Sequence, residues 1–86
     1  MKAEQKYKPG KGLKITELWA WIGVEPDGGE GVLGAMIGPL GFVPLVGADR
    51  DRIESYRDYA KAIQKAAGRP VKLVRYYGMD VREILK

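Results

Sequence analysis

From Ile15 to Glu25 (ITELWAWIGVE) the apolar residues form two interleaved rows, Leu18, Ala20, Ile22 and Val24 on one face of a strand and Trp19 and Trp21 on the other. A strand that is apolar on both faces belongs inside a sheet. Pro26-Asp27-Gly28-Gly29-Glu30-Gly31 then predicts a turn, because proline sets one torsion and glycine accepts positive φ. A second strand is expected over Val32–Ile37, a turn at Gly38-Pro39-Leu40-Gly41, and a third strand over Phe42–Val46. Pro44 has no amide hydrogen to donate, which assigns that third strand to a sheet edge or a bulge.

After residue 48 the period changes from two to between three and four. Ile53, Tyr56, Ala60, Ile63 and Ala67 make one apolar stripe of a single helix. Asp49 is its N-cap and Asp51 adds negative charge to the first turn. Lys65 lies in the last turn, Gly68 is the left-handed stop and Pro70 bars continuation. Arg50 and Glu54 are spaced as an i,i+4 ion pair, and Arg50, Arg52, Arg57 and Lys61, interleaved with Asp51, Glu54 and Asp58, read as an ordinary wet face. Val71–Tyr77 predicts a fourth strand. Asp80 and Glu83 are spaced as a capping box, leaving two outcomes for the end of the chain: a short helix that lays Val81, Ile84 and Leu85 on the body, or a frayed tail.

This order, β-β-β-α-β, predicts an α+β two-layer sandwich. Strand one needs neighbours on both sides and strand three an edge, so the four-stranded sheet takes the spatial order 3-2-1-4. A right-handed crossover through the helix would make strand four parallel to strand one. A single main helix covers only one face of such a sheet. The other face is then too apolar for water, and either docks on something or is folded over by the chain's own ends.

Charge divides the chain in two. Residues 1–14 carry Lys2, Lys6, Lys8, Lys11 and Lys14 against Glu4, equal to the net +4 of the whole chain. Of 15 basic and 11 acidic side chains, ten of each therefore remain in residues 15–86. A flexible basic arm over 1–14, broken by Pro9-Gly10-Lys11-Gly12, is expected to precede a neutral single domain over 15–86. There is no cysteine and no histidine, which removes disulfides, thiol nucleophiles, imidazole proton shuttles and zinc sites built on sulfur or imidazole. No apolar run is long enough to span a bilayer or to follow the lysines as a secretory signal, so the chain reads as cytoplasmic and without a membrane partner.

Three constellations bear on chemistry. Gly29-Glu30-Gly31-Val32-Leu33-Gly34 matches G-x-G-x-x-G by letter, but a strand follows where a dinucleotide site needs a helix N-terminus, so hairpin glycines explain it. Glu25, Asp27 and Glu30 surround one turn without the spacing of a calcium loop, and acidic turns are common. Trp19, Trp21, Tyr76 and Tyr77 beside Lys72 and Arg75 could stack bases, yet the aromatic-glycine motif of single-strand RNA readers is missing and the body is neutral. No catalytic residue, cofactor, metal ion or small-molecule ligand is assigned.

The string LWAWIGVEPDGGEGVLG, followed by Pro44-Leu45-Val46-Gly47-Ala48-Asp49 and by Gly68-Arg69-Pro70-Val71-Lys72-Leu73-Val74-Arg75, resembles a group of small bacterial proteins of unknown function. They share an aromatic strand, an acidic D-G turn, a P-L-x-x-A-D helix start and a G-[KR]-P-V-x-L-V-R strand. The likeness covers about residues 17–77. It implies a shared fold and brings no activity or catalytic residue, and the basic arm lies outside it.

The expected function is accordingly non-catalytic: a protein-interaction module that dimerises or holds another protein through its uncovered sheet face. Trp19, Trp21 and Tyr76 are the expected contact residues, with Arg75 at the rim, since large aromatics and arginine dominate such surfaces. The alternative is a nucleic-acid accessory protein in which Lys2, Lys6, Lys8, Lys11 and Lys14 contact phosphates.

Overall fold

The computed structural model describes residues 14–86 and has α+β architecture. Its central strand is β1 (Glu17–Val24), the segment with two apolar rows. On one side β1 pairs antiparallel with β6 (Val71–Tyr77) over seven residue pairs, from Glu17 opposite Tyr77 to Gly23 opposite Val71. On the other side it pairs antiparallel with β2 (Glu30–Val32) and then with β5 (Val46–Gly47). Strand one thus has strand two on one flank and the last strand on the other, as its two apolar faces require.

The third strand departs from expectation. Phe42–Val46 is divided: β4 (Phe42–Pro44) pairs with β3 (Gly34–Met36) in a separate two-stranded ribbon, while β5 returns to β1. The residues between β2 and β5 form a hairpin inserted at one point of the sheet edge. Leu33 donates its N–H to the Trp21 carbonyl at 2.9 Å, and Trp21 donates its own to Leu45 at 3.1 Å. Leu45 donates to Leu33 at 2.8 Å, which closes the base of the hairpin. Pro44 lies in the ribbon, where a free edge tolerates its missing donor.

The insertion also corrects the direction of the last strand. Because the hairpin leaves and rejoins the same line, β5 runs antiparallel to β1, and the helical return then makes β6 antiparallel rather than parallel. Two reversals were expected before the helix, an even number that would leave the third strand parallel to the first; the inserted hairpin makes the net count odd.

The helix begins and ends where the sequence indicates. The Asp49 carboxylate accepts from the Arg52 N–H at 2.8 Å, and Gly68 stops the helix in the left-handed region at φ 67°. Between these ends it is broken into α1 (Arg50–Glu54) and α2 (Arg57–Ala67). The Trp21 indole N–H donates to the Ile53 carbonyl at 2.9 Å, an acceptor that an unbroken helix would give to residue 57. The Tyr56 N–H bonds that carbonyl too, tightening the turn to i→i−3. The core formed by Trp21, Ala35, Leu45, Ile53 and Ala60 lies between the sheet, the two helices and the inner side of the hairpin.

No C-terminal helix forms. Residues 78–86 carry no regular structure, the Asp80 carboxylate binds the Arg82 guanidinium at 3.0 Å, and Val81, Ile84 and Leu85 are exposed. A helix this short is unstable without an apolar face to bury, and these side chains rest on nothing.

Candidate functional site

Residue parity sorts the side chains of the sheet and hairpin. Odd-numbered Trp19, Trp21, Leu33, Ala35, Ile37 and Leu45 belong to the core under the helices. Even-numbered side chains of the same strands point the other way. On that second side Ala20 and Ile22 are buried at the middle of β1, with Val46, Val74, Val32 and Lys72 as their register partners. Exposure then rises outward: Leu18 45%, Val32 52%, Tyr76 53%, Met36 69% and Phe42 70%. The hairpin extends this apolar row, and no charged side chain occurs from Gly31 to Ala48. Phe42 lies so close over Gly34 that a Cβ there would fall 2.2 Å from its ring, so the exposed aromatic sits on glycine backbone. At the far end of β1, Ile15, Leu18, Tyr76 and Met79 line a shallow hollow.

The expected contact residues are divided between the two sides. Trp21 is 6% exposed and belongs to the core, so it is not offered to a partner. Trp19 is half-buried on the same side, with Arg75 beside it. Only Tyr76 stands on the opposite face, across from Leu18. Lys2, Lys6, Lys8 and Lys11 lie outside the described residues, and Lys14 is exposed.

Two of the arginines expected on a wet face, Arg50 and Arg57, keep solvent exposure while lying over the tryptophans, and Arg75 of β6 joins them. Arg57 lies 4.9 Å from the Trp21 ring centre, and Arg50 and Arg75 lie 5.0 and 5.7 Å from that of Trp19. Glu54 joins two of them, accepting from Arg57 at 2.7 Å and from Arg50 at 3.0 Å. Those hydrogen bonds, Arg57's first and Arg50's second, hold the Glu54 carboxyl down at about 2. Three arginines and two tryptophans in a short chain were the available signal, but helix spacing alone does not show that the rings reach the helix.

The acidic turn is engaged within the fold. Glu25 pairs with Arg69, Glu30 with Lys72 at 2.5 Å, and the Asp27 carboxylate accepts from the Gly29 N–H at 2.8 Å. Among the described residues no three potential metal ligands converge. Gly29–Gly34 lies in turn and strand, with no helix opening after it. Nor is any helix among the described residues long and apolar enough to cross a membrane.

Comparison with protein-family models, curated proteins and solved structures gives no match.

Proposed function

We propose that the chain is a non-catalytic protein-interaction module that docks through the sheet and hairpin face turned away from the helices. The carrying observation is the exposed row Leu18, Val32, Tyr76, Met36 and Phe42, all on one side by parity. Large apolar side chains concentrated in this way mark interaction surfaces, whereas singly scattered ones do not. The uncharged hairpin supports the same reading, because depletion of charge is the compositional mark of an interface centre. Tyr76 remains an anchor from the original set, Trp19 and Trp21 act as core support, and Met36 and Phe42 join the contact residues.

Paired substitution tests this. Met36→Ser with Phe42→Ser removes exposed apolar area without touching the buried core, so unfolding midpoints should hold while binding of apolar-surface dyes and of any captured partner falls. Unchanged dye binding in the double variant would count against the face.

A further inference from the structure

We infer that the outer edge of β6 pairs with the β6 edge of a second copy, joining two sheets into one. This rests on the reading above that the chain works by docking, but it uses a different surface, the strand edge and not the sheet face.

The two edges of the sheet are unlike. On one, β2 and β5 are three and two residues long and are separated by the hairpin, so little edge is offered. On the other, β6 runs seven residues without proline or glycine, and among the described residues it pairs only with β1. The Val24 N–H donates to the Pro70 carbonyl at 3.0 Å, and these two residues are opposite each other in the β1–β6 register. Hydrogen-bonded pairs alternate along an antiparallel ladder, so Lys72, Val74 and Tyr76 spend their backbone groups on β1. Val71, Leu73, Arg75 and Tyr77 direct theirs outward.

Edge cations ordinarily discourage such pairing, but those of β6 are held over their own sheet. Lys72 reaches across β1 to Glu30, and Arg75 reaches Glu17 at 3.7 Å while lying over Trp19 and Tyr77. A two-fold axis at Val74 sets Val71 opposite Tyr77, Lys72 opposite Tyr76 and Leu73 opposite Arg75 of the other copy. Every outward N–H and C=O then meets a partner, and each cation faces an aromatic or apolar side chain. Moving the axis to Arg75 would oppose two arginines, and moving it to Leu73 would leave Tyr76 and Tyr77 beyond the end of the partner strand.

The absence of cysteine supplies the test. At the two-fold, residue 74 forms a non-hydrogen-bonded pair with its Cα atoms about 4.5 Å apart, the closest approach in a ladder. Under mild oxidation the full chain carrying Val74→Cys should therefore become mainly a covalent dimer, while Tyr77→Cys, more exposed but far from its own copy, should remain monomeric. Equal cross-linking of both variants, or of neither, would overturn the pairing. Sedimentation of the unmodified chain should show a reversible dimer that persists in Met36→Ser/Phe42→Ser. A dimer lost in that double variant would place the contact on the apolar face, overturning the edge pairing while sustaining the docking reading.

Discussion

At the scale of single residues the two tryptophans separate by their indole nitrogens. Trp21 donates to the Ile53 carbonyl, whereas the buried Trp19 Nε1 meets no acceptor among the described residues. Trp21→Phe keeps most of the apolar area but loses the indole bond and leaves the Ile53 carbonyl to the Tyr56 N–H alone, and should cost about 0.5–1.5 kcal/mol in urea unfolding. Trp19→Phe removes an unsatisfied donor and weakens two cation–π contacts, so its cost should stay below about 1 kcal/mol. Glu54 gives a pH signature of its own. Its carboxyl titrates at about 2 in the fold against an ordinary 4.5, lowered by Arg57 and then Arg50. The stabilisation is therefore complete above the ordinary value and is lost as pH falls toward 2. Melting temperatures between pH 5 and pH 2 at low salt should drop less steeply in Glu54→Gln than in the parent chain.

At the scale of elements, Gly47 shows how closely β5 meets the helix. A Cβ on Gly47 would lie 2.8 Å from the Arg52 Cγ and 3.2 Å from the Ile53 backbone nitrogen. Gly47→Ala should destabilise the fold by about 1–3 kcal/mol through overpacking, read as a lower denaturant midpoint with unchanged slope. The elements that depend on local signals were legible in the sequence. Alternation in LWAWIGV marked β1, Asp49 and Gly68 marked both helix ends, and VKLVRYY marked β6. What was hidden depends on contacts between distant residues. Nothing near Leu33 or Leu45 announces that both bond Trp21, so the hairpin insertion and the resulting antiparallel β6 could not be read locally. The helix break is hidden for the same reason, because its cause is an indole 32 residues away. The surplus of apolar sheet was anticipated, but Trp19 and Trp21 lie on the helix side of β1 while Tyr76 lies on the other. Both rows of that strand are apolar, and only the packing shows which row the helix covers.

At the scale of the whole molecule, charge is partitioned so that the two proposed modes of binding respond oppositely to salt. The neutral span 15–86 holds its β6 cations in intramolecular pairs, leaving apolar and backbone contacts to join two copies. The excess of four positive charges lies in residues 1–14, so two copies that approach carry like-charged N-terminal segments that repel. Added salt screens that repulsion and leaves the ladder untouched. Self-association measured by sedimentation should accordingly hold or strengthen from low to high salt. Contact of the five arm lysines with a single-stranded polyanion behaves in reverse, with log affinity falling against log salt at a slope of about −3.5. Deleting residues 1–14 should abolish retention on phosphocellulose and leave the dimer in place. A dimer that dissociates with rising salt, or that disappears with the arm, would move the contact from the β6 edge to the lysines.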